Sequence, residues 1–128
     1  MTNQIEKVYT IGVDIDKVWA ALTDPTEIRG WGGGPAKMNT FEDTDFSLWG
    51  GDIYGRNIEI SAPNYLKQEW YSGTWKEPSF VEFHLTERNG QTELRLIQNK
   101  VPENEKDEID AGWDDYYLGA IKSYLESK

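Results

Sequence analysis

Cysteine is absent from the 128 residues, and histidine occurs once, at His84. The first absence removes thiol catalysis, cysteine metal sites and disulfides together. The second leaves a single side chain that can act as a general base near neutral pH with an ordinary pKa. Basic residues are also scarce, with 13 Lys and Arg against 23 Asp and Glu and a net charge of −10. Phosphate backbones and anionic bilayers are held by clustered Lys and Arg, so neither nucleic acid nor membrane is an expected partner. No apolar run approaches membrane-spanning length, and the opening MTNQIEKVYT has no signal-peptide core. A cytoplasmic protein is expected. G-x-S-x-G, H-E-x-x-H and Walker patterns are missing as well.

Aromatic residues, by contrast, are plentiful, with six Trp and seven Tyr. Large flat side chains fill wide interiors and line apolar cavities, and they favour strands. Ile5–Val13 places Ile5, Tyr9, Ile11 and Val13 on one face, which predicts a half-buried strand. Asp14 or Asp16 can cap a helix beginning near Lys17, Asp24-Pro25 ends it, and Pro25 opens a second short turn carrying Ile28 and Trp31. Strands are predicted at Asp45–Trp49, Ile53–Ser61, Tyr65–Tyr71, Ser79–Glu87 and Thr92–Gln98. Asn89-Gly90 is the clearest turn between them, since both residues accept positive φ. After Val101-Pro102 an acidic run leads into a helical stripe at Ile109, Trp113, Tyr116, Tyr117, Ala120, Ile121, Tyr124 and Leu125.

This order describes a single α+β domain over residues 1–128, a sheet gripping a helix. A curved antiparallel sheet wraps a long C-terminal helix, and two short helices follow the first strand. An apolar gap between sheet and helix is its natural ligand site. The stretch FSLWGGDIYGR at Phe46–Arg56 bears on that gap. A phosphate cradle needs glycines before a helix N-terminus, but a strand follows here. Gly50-Gly51 therefore reads as a hairpin turn, and Gly55 as a bulge or bend within a strand.

Weighed as chemistry, His84 lies between Glu82 and Thr86 on the polar face of its strand, where a solvated histidine is expected. The acidic run Glu103–Asp110 lacks the pattern of a calcium loop and suits the start of a helix. The aromatic set is either core packing or the wall of a pocket for an apolar or aromatic molecule, with Arg56 and Arg95 as less favoured sources of polarity.

VDIDKVWAALTDPTEIRGW (Val13–Trp31), DIYGRNIEISAPNYLKQEWYSGTW (Asp52–Trp75) and NGQTELRLIQNKVPENEKDEIDAGWDDYYLGAIKSYL (Asn89–Leu125) carry a resemblance across most of the chain. They are similar to the opening, central strands and close of the activator of Hsp90 ATPase homologue 1-like family, within the START-like superfamily. The resemblance implies the helix-grip fold and a binding protein that is not an enzyme. An Hsp90-type chaperone is the implied partner, and stress-related work the implied setting. The alternative is a START-like carrier or a cyclase-type enzyme acting on a small hydrophobic or aromatic molecule. Trp19, Trp31, Trp49, Gly55, Trp70, Trp113, Tyr117 and Ile121 are the candidate cavity residues. No catalytic residue, metal or cofactor is assigned.

Overall fold

The computed structural model describes residues 4–73 and 75–127. Strand β1 (Ile5–Ile11) ends in a tight turn, with the Val13 N–H donating to the Ile11 carbonyl at 2.8 Å. Helix α1 (Ile15–Thr23) is capped by Asp14, whose carboxylate accepts from the Lys17 N–H at 3.1 Å. Asp24 closes α1 and caps α2 (Pro25–Trp31), accepting from the Thr26 N–H at 2.9 Å, with Pro25 in the first turn.

Strands β2 (Thr44–Leu48), β3 (Ile53–Ser61), β4 (Tyr65–Ser72), β5 (Ser79–Arg88) and β6 (Gln91–Asn99) follow. They form one antiparallel sheet with β1 in the order β1-β6-β5-β4-β3-β2. The predicted strands agree with these to within two residues. Asn89 and Gly90 join β5 to β6 with φ of 54° and 76°, the paired positive values of a two-residue hairpin. Along β5 and β6 alternate residues are buried, with Val81, Phe83, Leu85, Leu94 and Leu96 on the inner face. The C-terminal segment covers that face.

This segment is more structured than a uniform helix. A 3-10 turn (Glu103–Glu105) leads into α3 (Lys106–Gly112), then a π segment (Trp113–Tyr117), then α4 (Leu118–Glu126). In the π segment the Leu118 N–H reaches the Trp113 carbonyl. Gly119 permits the widened turn, because a Cβ there would lie 2.0 Å from the Asp114 carbonyl oxygen. Single π turns inside α-helices recur at functional sites, and this one carries Trp113 and Tyr117 into the interior.

Gly55 holds a different role from a bulge. The register shift in β3 falls between Asn57 and Glu59. Gly55 pairs with Phe46 on one side and Trp70 on the other. A Cβ on it would lie 1.8 Å from the Glu69 carbonyl oxygen and 3.2 Å from the Phe46 ring. Close backbone approach thus selects glycine here.

Candidate functional site

The site grows from one row of the sheet. With no side chain at Gly55, the rings of Phe46 and Trp70 come together from the flanking strands, 6.2 Å apart. Trp113 stacks on Trp70 from the helix side at 4.9 Å and 29°. Tyr117 lies against Trp113 and Trp31, at 4.7 Å from each. Trp49 meets Tyr117 edge-on at 6.1 Å. Its backbone is left-handed, with φ of 50°, a costly conformation for a bulky residue. The hydrogen bond from its N–H to the Gly33 carbonyl, at 2.7 Å, holds it there. The irregular glycine-rich segment after α2 thereby positions an aromatic side chain of the site.

Buried amides serve the indoles. Trp70 Nε1–H donates to Gln68 Oε1 at 2.7 Å, and Gln68 Nε2–H donates to Asn57 Oδ1 at 2.8 Å. Trp113 Nε1–H donates to Gln98 Oε1 at 2.7 Å. Asn57, Gln68 and Gln98 are fully buried. Among the described residues, two polar atoms in this core have no partner: Gln98 Nε2 and the Tyr117 hydroxyl. Burial pushes the Tyr117 hydroxyl well above its ordinary pKa, so it stays protonated.

Beside this cluster a cleft of about 480 Å³ opens between the β3–β4 side of the sheet and the first half of the C-terminal segment. That volume lies within the range that holds small organic ligands. Trp49, Trp70, Trp113 and Tyr117 line it, four of the eight residues expected from the sequence. Ile53 and Ile109 complete the apolar wall, and Asp52, Glu108, Gly112 and Tyr116 form the rest of the lining. The other four expected residues lie elsewhere. Trp31 packs behind Trp49 and Tyr117, Gly55 lies in the sheet between Phe46 and Trp70, and Ile121 is fully buried in the core. Trp19 sits half-buried on α1.

Ile53 and Ile109 were legible as inward positions of their elements. Gln68 and Gln98 were signalled more faintly, as polar residues at apolar beats of β4 and β6. The rim carboxylates had no local signal, because Asp52 and Glu108 meet only through the fold.

His84 is on the outer face, with Nε2 3.0 Å from Glu82 Oε1 and its ring against Tyr65. Arg56 and Arg95 also face outward, paired with Glu69 and Glu6. Among the described residues no three His, Cys, Asp or Glu side chains are grouped to hold a metal ion. No described helix is long and apolar enough to cross a membrane.

On the far side of the helix from the cleft, a polar latch ties it to β1. Lys7 Nζ donates to Asp110 Oδ1 and Asp114 Oδ2, each at 2.8 Å, and the Tyr9 hydroxyl donates to Asp114 Oδ1. The hydrogen bonds from Lys7 and Tyr9 hold the Asp114 carboxyl below its ordinary value. Burial, and then the Asp114 contact, push the Tyr9 hydroxyl up to about 12. A depressed carboxylate stabilises the fold above its unfolded pKa and loses that contribution as pH falls through the folded one. Asp114→Asn is therefore expected to lower stability near neutral pH. The gap between parent and variant should close as pH drops below 3.8, the unperturbed value. Urea titrations across pH measure this, and a gap constant through the acid range contradicts the latch.

Comparison with known proteins agrees with this geometry. Over 124 residues the chain is 26% identical to the Hsp90 co-chaperone of Saccharomyces cerevisiae, covering 88% of this chain and 35% of that protein. The crystal structure of an Hsp90 activator from Plasmodium falciparum superposes with a TM-score of 0.87 at 25% identity, covering 96% of each chain. CalU16 from Micromonospora echinospora superposes with a TM-score of 0.83 at 27% identity, covering 95% of this chain and 75% of the other. The chain spans about a third of the length of the curated relatives it matches. The family model for activator of Hsp90 ATPase homolog 1-like proteins matches residues 13–126. With the sheet, the gripped C-terminal segment and the family pattern in agreement over nearly the whole chain, this protein belongs to the activator of Hsp90 ATPase homologue 1-like family.

Proposed function

We propose that this domain is a chaperone-associated binding module that engages an Hsp90-type chaperone in the cytoplasm and raises its ATP turnover without catalysing a reaction itself. The observation that carries this reading is the full-length likeness to the Plasmodium falciparum Hsp90 activator. The net charge of −10 supports it, since a strongly acidic domain is steered toward a basic surface on a partner. The test mixes this protein with the Hsp90-type chaperone of its own host and follows ATP hydrolysis and complex formation. Stimulated turnover that weakens at high salt is the expected result. Absence of both stimulation and a complex at micromolar concentrations overturns the reading.

A second reading rests on the cleft. Its 480 Å³ and its aromatic wall suit a small hydrophobic or aromatic molecule, held as a START-like carrier holds its cargo. Titration with apolar aromatic compounds, followed by tryptophan fluorescence and amide shifts, tests it. Shifts clustered on Trp70, Trp113 and Ile109 support a ligand site, and shifts that never reach these residues exclude one.

A further inference from the structure

Charge within the cleft narrows the class of molecule it can take. Its lining includes two carboxylates, Asp52 and Glu108, and no lysine or arginine. Among the described residues neither carboxylate has an ion pair or a side-chain hydrogen bond, whereas their neighbours are engaged. Glu105 accepts from Trp75 Nε1–H at 2.9 Å, and Asp110 is held by Lys7. The same lining presents Trp49, Trp70 and Trp113 together with Tyr117 and the exposed Tyr116. Indole and phenol faces carry negative quadrupole density and attract cations, tryptophan most strongly.

These features reinforce one another in sign. An anion entering the cleft meets two carboxylates and no basic side chain. A neutral hydrocarbon gains only the apolar wall and lowers the dielectric around two uncompensated charges. A cation with a hydrophobic body gains the apolar wall and the carboxylates together, with the exposed Tyr116 ring beside them. Aromatic side chains combined with acids and free of bases make up the composition that recognises alkylated ammonium groups.

We propose that the cleft between the sheet and the C-terminal segment takes a hydrophobic organic ammonium cation, a small amine or quaternary ammonium compound with an aromatic body. Its aromatic body packs against the apolar wall of the cleft and its cationic head faces the Asp52 and Glu108 rim. This rests on the second reading above, that the cleft is a ligand site.

The test compares three probes on the intact protein at low salt: benzyltrimethylammonium, its neutral carbon isostere neopentylbenzene, and benzenesulfonate. Binding is read from the indole N–H shifts of Trp49, Trp70 and Trp113 and from tryptophan fluorescence. The cation is expected to bind about tenfold more tightly than the neutral probe, the equivalent of ~1.4 kcal/mol. The anion is expected to bind weakest. Asp52 and Glu108 are both exposed, so the Asp52→Asn, Glu108→Gln double variant retains the fold. It should lose most of the preference for the cation. Neopentylbenzene binding in the cleft as tightly as the cation overturns the ammonium assignment and leaves the ligand site standing. A cation preference that survives unchanged in the double variant overturns the role of the carboxylates. If no probe moves the three indoles, the ligand site and the inference built on it both fall.

Discussion

Gly55→Ala is expected to cost at least about 3 kcal/mol of stability, the upper end of what overpacking a well-filled site costs. The added Cβ falls 1.8 Å from the Glu69 carbonyl oxygen and 2.8 Å from its carbon. Both atoms are backbone within the β3–β4 ladder, so no side chain can swing aside. The strands must separate locally, which disturbs the Arg56–Glu69 and Gly55–Trp70 pairings of the register. The Phe46–Trp70 contact across the glycine is disturbed with them. Gly112→Ala is the control. Gly112 is helical, and a Cβ there has nothing within 4 Å. It is expected to gain about 0.5–1 kcal/mol, the ordinary helix preference for alanine over glycine. Urea unfolding of both variants measures this, and a Gly55→Ala loss below about 0.5 kcal/mol, the usual scale of an inconsequential substitution, contradicts the close approach.

Trp113→Ala carries the other large effect, a loss of about 3–5 kcal/mol. Trp113 is 3% exposed and bridges Trp70, Phe83 and Tyr117. Its removal leaves a cavity that the sheet is too constrained to close. It also strips the Gln98 carboxamide of its remaining side-chain partner, because Gln98 Nε2 already has none. Trp113→Phe separates these contributions: it keeps most of the ring and loses the indole N–H, costing about 1–3 kcal/mol. Tyr117→Phe should act in the opposite direction. Its hydroxyl is buried without a partner among the described residues, so deleting the oxygen is expected to be neutral or to stabilise by up to about 2 kcal/mol. Chemical denaturation of the three variants orders them. A Tyr117→Phe variant clearly less stable than the parent shows that the hydroxyl has a partner in solution and contradicts this account.

These expectations rest on a core that serves two purposes. The aromatic stack that stabilises the grip also forms the inner wall of the cleft. Trp113→Ala is therefore expected to weaken both. Asp52 and Glu108 belong only to the rim, and substituting them is expected to change ligand preference without touching the core. That separation lets binding and folding be measured independently.

Local information decided a great deal. Period-two alternation marked the strands because each strand has one buried face, as Val81, Phe83 and Leu85 show on β5. Asn89-Gly90 and Asp24-Pro25 announced their turn and helix boundary because the required dihedrals are written into those residue types. The tryptophans of the cleft were visible as an aromatic excess, and the inward beats of Trp70 and Trp113 placed those two between sheet and helix. What stayed hidden depends on residues distant in the chain. Gly55 could be read as a bend, but the carbonyl that excludes its side chain belongs to Glu69 on the next strand. Asp114 lies beyond the acidic run, beside Asp115 in the helical stripe, and its role comes from Lys7 and Tyr9 more than a hundred residues earlier. The π segment was equally illegible, since Trp113 and Tyr117 keep the spacing of an ordinary helix until Gly119 lets the turn widen. Hydrophobic pattern and turn chemistry are properties of neighbours in sequence, so the chain alone determined the strands, the short helices and the gripped C-terminal segment. Register, close approach and the meeting of charges belong to neighbours in space. Only the tertiary structure decided that five aromatic residues and two carboxylates, unpaired among the described residues, should share one open cleft.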